Sequence, residues 1–467
     1  MSNWLGVAGG MALGAALLAA PAMAQDAPEG PKTALGNKGL KFSTDGFELN
    51  ITTRVQARLT YQNEVGNGET GTNGRDFVNF RIRRAKTKFS GYIFDKQFQY
   101  ALQLAWTNSS QELIEDAYFR WAWNPYLNVG VGQGKLPWNW EEHTSSGTQL
   151  FVERGYVNSA FNHGFAKGLW IDGRVGEDTP WVKYWVGVYN GVLKGNTDFR
   201  NSDIKMNSES FSDGVVDGDM MFNLRLETHP MGEVKKMYDD RGEDKYSDVL
   251  FSVGLGVNWL ITGFNDALLR PDTGGAPAPS SSRNRTSQDT LSVTLDGHFR
   301  WHGLSADIAW YWRHTDLHNK GRNDFRPGQN KAGVADLEDM GFTFDIGYFI
   351  LPKQLLVGVR YNMLNADDFW DSTSTPTTQP DARKFGIRPD TTEMGLTVSY
   401  FVHGDNLRLT FDVLYVDQQL AFKGTTASQL GVYNSPPVRG AFTDGDVFKS
   451  ADHNSLWIVR LQLQWIF

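Results

Sequence analysis

The chain has no cysteine among its 467 residues, which removes disulfide frameworks, thiolate metal sites and cysteine nucleophiles at once. Nor does it contain, after its N-terminal stretch, any apolar run near the roughly 20 residues that a helix needs to cross a bilayer. A helical membrane bundle is therefore excluded. Positive charge is in deficit: 45 Lys and Arg stand against 53 Asp and Glu, a formal net charge of −8. Non-specific nucleic-acid binding needs a basic surface, so no nucleic-acid partner is expected. Aromatics and glycine are plentiful instead, with 16 Trp, 29 Phe, 16 Tyr and 49 Gly, as suits many strands, tight turns and aromatic belts.

Val7 to Ala22 form an apolar stretch that ends in Ala22-Met23-Ala24, a small-x-small site of the kind signal peptidase cleaves. Residues 1–24 read as a signal peptide. With no apolar helix after it, the exported chain is expected to be periplasmic, secreted or inserted as a barrel. Residues 25–44 read as a flexible segment and residues 45–467 as one barrel, because no linker or long-period repeat divides them.

Strict alternation decides between these destinations. In the last segment Trp457, Val459, Leu461, Leu463, Trp465 and Phe467 share one face while Arg460, Gln462 and Gln464 share the other, as in a strand with one face to lipid and one to a wet lumen. Leu407 to Tyr415 and Leu304 to Arg313 repeat the pattern. Strands are expected at 48–62, 75–94, 97–108, 111–123, 126–135, 168–176, 180–190, 219–229, 247–260, 288–301, 303–314, 338–350, 354–364, 390–402, 406–418 and 454–467. That makes about sixteen, an even number as bacterial barrels require. Tight turns at Asp95-Lys96, Asn124-Pro125, His302, Pro352-Lys353 and His403 to Asp405 alternate with long polar loops such as Pro271 to Arg285 and Ser372 to Arg383, the outer-membrane asymmetry. Pro230 to Asp248 breaks the rule. It falls on the short-turn side yet is long and charged, so it is either an extended periplasmic turn or a slip in the count.

The second strand carries Arg81, Arg83, Arg84, Lys86 and Lys88. Regular alternation would send some of them into lipid, at about 2–4 kcal/mol for each at the midplane. A bulge between Arg83 and Arg84 rescues all five, with Phe80 and Ile82 facing out before it and Ala85, Thr87 and Phe89 after it. The same parity turns inward Arg54, Arg58, Arg120, Arg174, Lys183, Arg225, Arg300, Arg313, Arg360, Arg408 and Arg460. Facing them are Glu112, Asp116, Asp172, Glu227, Asp296, Asp307, Asp345, Glu393 and Asp412. The inner wall is thus basic although the chain is acidic, and basic walls favour anions. The alternative is that wall arginines pair with wall carboxylates and merely brace the barrel.

Lys135 to Lys167 is the third long loop and holds Trp138, Trp140, Glu141, Glu142, His143, Glu153, Arg154 and His163. A connection beyond about 15 residues without regular periodicity usually has a function. Two other motifs carry less. Gly130 to Lys135 looks like a nucleotide loop but lacks the Ser or Thr after the lysine. His314 and His318 have helical metal spacing but sit at a strand end, without the carboxylate context of a metal site.

Several stretches resemble the phosphate-selective porin O and P family: Arg83-Arg84-Ala85 leading to Phe89-Ser90-Gly91, then Phe98, Tyr100 and Gln103; Glu115-Asp116-Ala117-Tyr118; Val131 to Pro137; and Phe151-Val152-Glu153-Arg154 followed by Ala160-Phe161. The resemblance covers the first third of the exported chain. It implies a homotrimer of sixteen-stranded barrels in the bacterial outer membrane, with basic residues guiding anions to a constriction on the inward-folded third loop. On matching positions, Arg83 and Arg84 belong to the basic wall and Lys135 to the start of that loop. With Arg54, Arg58, Arg81, Lys86, Lys88, Arg120 and Arg154 they form the expected anion path. Trp138, Glu141, Glu142, His143 and Glu153 are the expected constriction residues. Gly134 stands where the family usually has a bulkier residue, and Glu141, Glu142 and Glu153 add negative charge. Phe467 resembles the terminal signal read by the barrel-insertion machinery, which joins outer-membrane lipids and small anionic solutes as expected partners.

The function expected is passive diffusion of small anions, with phosphate or polyphosphate among them, and neither cofactor nor covalent step. A general porin or one for sugars or carboxylates is the alternative of the same shape. A barrel enzyme, needing a nucleophile and base together at the outer rim, and a secreted β-rich binding protein are the alternatives of other classes.

Overall fold

A computed structural model describes residues 32–36, 39–65, 76–107, 113–176, 180–190, 220–241, 248–261, 288–317, 337–365, 390–419 and 453–467. The expected signal peptide, the loops around Pro271 to Arg285 and Ser372 to Arg383, Glu112 and His318 lie outside them. The strands are β1 (Lys32–Gly36), β2 (Gly39–Thr44), β3 (Phe47–Val65), β4 (Asp76–Ile93), β5 (Asp95–Ala105) and β6 (Ile114–Asn124). There follow β7 (Leu127–Lys135), β8 (Phe165–Val175), β9 (Val182–Asn190), β10 (Met220–Thr228), β11 (Leu250–Ile261) and β12 (Gln288–Trp301). The chain ends with β13 (Leu304–Leu317), β14 (Leu337–Leu351), β15 (Leu355–Asn365), β16 (Asp390–His403), β17 (Leu407–Gln419) and β18 (His453–Ile466).

From β3 to β18 each strand pairs antiparallel with the next, and β18 pairs back onto β3 from Ser455↔Val65 to Ile466↔Arg54. The result is a closed barrel of 16 strands, which leaves no edge to satisfy in lipid. Every expected strand is there. Alternation explains why: in β10 the residues Met221, Asn223, Arg225 and Glu227 are buried inward while Phe222, Leu224 and Leu226 are exposed outward. The seam is completed by Phe467, whose N–H donates to Thr53 O (2.9 Å) and whose carbonyl accepts from Thr53 N (2.7 Å).

One expectation is corrected at the N-terminus. Within residues 25–44, read as flexible, β1 and β2 form a hairpin whose second strand pairs with the start of β3, from Leu40↔Ile51 to Thr44↔Phe47. Gly39 makes the tight reversal at φ +115, a conformation cheap only for glycine. The composition of this stretch hid strands that borrow their partner from β3.

The second-strand bulge stands where the charges required it. Gln56 pairs with Arg84 and Ala57 with Ile82, leaving Arg83 as the extra residue. A second bulge occurs on β6, where Gln103 pairs with Asp116 and Leu104 with Ile114. It turns Glu115 inward beside Asp116, and both are buried.

Two segments fill part of the lumen. The first is the loop from Leu136 to Gly164, with short helices α1 (Trp140–His143) and α2 (Tyr156–Phe161). Asn139 caps α1 by accepting from Glu142 N at 2.6 Å. Leu136, Trp138, Leu150, Phe151, Val157 and Phe161 are essentially inaccessible, so the loop has a dry core of its own against the wall. The second is residues 230–241 of the connection between β10 and β11; since those strands pair directly, the segment Pro230 to Asp248 is an extended turn rather than a miscount, and its residues 242–247 lie outside the described ones. Val234, Met237 and Tyr238 are buried with Leu150, Phe151, Phe349 and Phe401, and Met237 N donates to Thr148 O (3.3 Å). Loop and turn meet inside the barrel.

Candidate pore and anion-binding wall

The long loop is tied to the wall on many sides. Arg408 donates to Gln149 O (3.0 Å), Arg360 to Glu153 O (2.9 Å), Arg313 to Ala160 O (3.1 Å) and Arg225 to Trp138 O (3.3 Å). In the other direction Asp412 accepts from Val152 N (3.0 Å) and Glu393 from Tyr156 N (2.8 Å). The wall arginines also pair with wall carboxylates: Arg225 with Asp296 (2.5 Å), Arg300 with Asp307 (2.9 Å), Arg313 with Asp339 (2.8 Å), Arg360 with Asp345 (2.7 Å) and Arg460 with Asp412 (2.7 Å). All five arginines are at most 8% exposed. On β10 to β18, then, the bracing reading holds. The inner face there carries about as many carboxylates as arginines, and its charges hold the loop rather than face solution.

The wall from β3 to β9 is different. On β3 and β4, Arg58 (2.5 Å), Arg83 (2.6 Å) and Arg84 (2.5 Å) converge on one loop carboxylate, Glu153. Burial opposes the charge of that carboxyl, yet the guanidiniums of Arg83, Arg84 and Arg58 outweigh it and hold the group well below the ordinary carboxylate range. Arg54 donates to the hydroxyls of Ser145 and Ser146, both at 2.8 Å. Lys86 pairs with Glu115 (2.5 Å) and Lys88 lies 3.5 Å from Asp116. Arg81 is exposed, directly opposite Arg58. These seven cations meet the carboxylates Glu153, Glu115 and Asp116, a positive surplus in a confined space.

The remaining predicted residues divide between pore and scaffold. Arg154 is turned into the loop, donating to the carbonyls of Glu141 (3.0 Å), Glu142 (3.1 Å) and Thr144 (2.9 Å), so it staples the loop rather than lining a path. Trp138 is buried against Tyr311 and His163. Glu141 accepts from Gly155 N (2.9 Å) and lies 3.6 Å from Arg360; burial, opposed by Arg360, raises its carboxyl to about 7. Glu142 pairs with Arg154 (3.1 Å) and Lys135 (3.5 Å). His143 is exposed and meets Trp185 edge-on at 5.5 Å.

Beside the loop a cavity of about 860 Å³ runs from Lys135, Pro137 and His143 to the tight turn at Pro125. Its wall is β4 to β9. Lys88, Arg120, Lys135, Arg174 and Lys183 line it with Asp116 and Asp172. Arg120 is paired with Asp172 and donates to Gln99 (2.8 Å); Lys183 is paired with Glu233 of the extended turn. Sequence reasoning missed Glu115 and Glu233. The first lay on the outward parity, although the cost of a carboxylate in lipid signals a bulge there as it does at Arg83. The second belongs to a turn whose fold is tertiary.

Residues 51–211 match the model of the family described as phosphate-selective porin O and P. Among solved structures the chain is similar to an anion-selective porin from Comamonas acidovorans, at 10% identity and TM-score 0.51, covering 90% of this chain and 99% of that one. It is also similar to the outer membrane channel DcaP of Acinetobacter baumannii, at 11% identity and TM-score 0.50, covering 92% of this chain and 100% of that one. At such identities the likeness speaks for the fold. None of the curated proteins matches the sequence. Residues 51–211 thus carry the signature of the phosphate-selective porin O and P family, and the closed 16-stranded barrel that contains them has the fold of the outer-membrane porins it is similar to, which points to a channel rather than an enzyme.

Proposed function

We propose that this porin is an anion-preferring diffusion channel whose path follows β3 to β9, with the loop from Leu136 to Gly164 as its constriction. The observation that carries this reading is the Arg83 bulge. It brings all five cations of β4 to the inner face, where with Arg54 and Arg58 they outnumber the carboxylates that reach them. Anions gain by exchanging part of their hydration for these donors and leave because the sites are several and partly neutralised. Phosphate is one candidate solute. The family resemblance and the exposed Val78, Phe80 and Ile82 on the outer face of β4 support a homotrimer, in which a second copy covers that face.

Reversal potentials in planar bilayers under a tenfold KCl gradient test the reading. Chloride preference is the expected result; cation preference overturns it. An unspecific porin of the same shape would show neither.

A further inference from the structure

Resting on that anion-channel reading, we infer that the cavity along β6 to β9 recognises aromatic carboxylates, by stacking their rings on a strip of tryptophan and tyrosine while lysine and arginine hold the carboxylate. Trp170 of β8 lies between Tyr118 of β6, which it meets edge-on at 5.6 Å, and Tyr189 of β9, stacked at 6.4 Å and 12°. Trp185, on the same inward parity of β9, continues the strip to His143. Tyr118, Trp170 and Trp185 are each part-exposed and all line the cavity.

The backbone around them is cut to fit. Gly130 sits under Trp170, and a Cβ there would come within 2.2 to 2.6 Å of the indole. A Cβ on Gly168 or Gly187 would come within 2.6 or 2.5 Å of the Tyr189 ring. These glycines let Trp170 and Tyr189 pack close against the wall, with the part-exposed Trp170 at the cavity and Tyr189 buried beside it. Gly130, in the run that looks like a nucleotide loop, has this use instead. A flat π face offers nothing to inorganic phosphate, a small ion that needs donors on every side, but offset stacking to a planar ring. The cations stand at the right places for the other end of such a solute: Lys88 and Arg120 beside Tyr118, and Arg174, exposed, beyond Asp172. Recognition of this kind is a short chain of weak stacking sites, which suits passage better than one tight site.

The test is a titration of the purified porin in planar bilayers, measuring block of chloride current by benzoate, cyclohexanecarboxylate, acetate and phosphate. Benzoate is expected to block at concentrations several-fold below acetate and cyclohexanecarboxylate. Trp170→Leu and Trp185→Leu should each weaken benzoate block about three- to tenfold relative to phosphate block, the range an aromatic contact covers. Trp170→Phe, which keeps a ring, should restore most of the loss. Equal block by benzoate and acetate, or equal block by benzoate and cyclohexanecarboxylate, overturns the aromatic assignment. So does benzoate affinity unchanged in both leucine variants. The reversal potential of the same channels reads the underlying anion preference separately, so failure of one claim is distinguishable from failure of the other.

Discussion

At the scale of single residues, Glu153 has the largest leverage. Three guanidiniums converge on its carboxylate, so Glu153→Gln removes their shared counter-charge without removing the side chain's bulk. Stronger chloride preference in reversal-potential measurements is the expected result, with a less firmly held loop. The pH dependence has a definite sign. The folded-state pKa of Glu153 is held below 4.5, so its contribution to stability is present above about pH 4.5 and lost as the pH falls through the lower value. His163 acts in the same direction. Burial, with Arg313 nearby, lowers its pKa to about 3 from 6.5, so folding favours the neutral ring. That contribution is complete above pH 6.5 and declines towards pH 3. Thermal unfolding in detergent followed from pH 7 to 3 should show a falling Tm, with a smaller fall below about pH 4.5 in Glu153→Gln. Much of this scale was legible in the sequence: the cost of arginine in lipid located Arg83 as a bulge. The pairing of Glu153 was not, because nothing in local spacing says which wall a loop carboxylate will reach.

At the scale of elements, the strands were readable and the two lumen segments were not. A strand with one face to lipid must alternate, and alternation survives in the sequence alone. The extended turn between β10 and β11 follows no period. It is held by Tyr238 and Lys236 on Asp405, and by Asp239, which accepts from Gly303 N (3.2 Å). Its partners lie some 60 to 170 residues away in sequence. Replacing residues 233–241 with a short Gly-Ser turn should leave the barrel intact and raise single-channel conductance, since Val234, Met237 and Tyr238 occupy lumen that water would fill. Unchanged conductance would show that the ions pass wholly on the β4 to β9 side. Within the loop, Asn139→Ala should cost about 1 kcal/mol as the cap of α1 is lost. Its signature is noisier open-channel current rather than an unfolded barrel.

At the scale of the molecule, the wall has two halves with different tasks. From β10 to β18 its charges are paired and buried beneath loop and turn; from β3 to β9 they remain in surplus beside open space. A formal charge of −8 conceals this because charge counts ignore which face a residue occupies. The outer surface follows the lipid. Exposed Phe94, Trp123, Tyr126, Trp301 and Phe467 gather at the short-turn end, and Trp106, Trp259 and Trp457 towards the long-loop end, the two belts a bilayer demands. Arg225→Ala should therefore leave Asp296 buried without its guanidinium and lower stability by about 3–5 kcal/mol, read as reduced heat resistance in detergent. Arg81→Ala, exposed in the other half, should shift selectivity with little effect on stability.

The bulge on β4 has one more implication, for how such a wall changes over time. Ile82 and Arg84 already face Ala57 and Gln56, adjacent residues of β3, so removing Arg83 would mend the ladder and leave every other side chain on its present face. A single-codon deletion, ordinarily ruinous in a strand because it inverts the phase of all that follows, is here silent in register and subtracts one charge. The count of cations in this pore can thus be edited by insertion and deletion as well as by substitution.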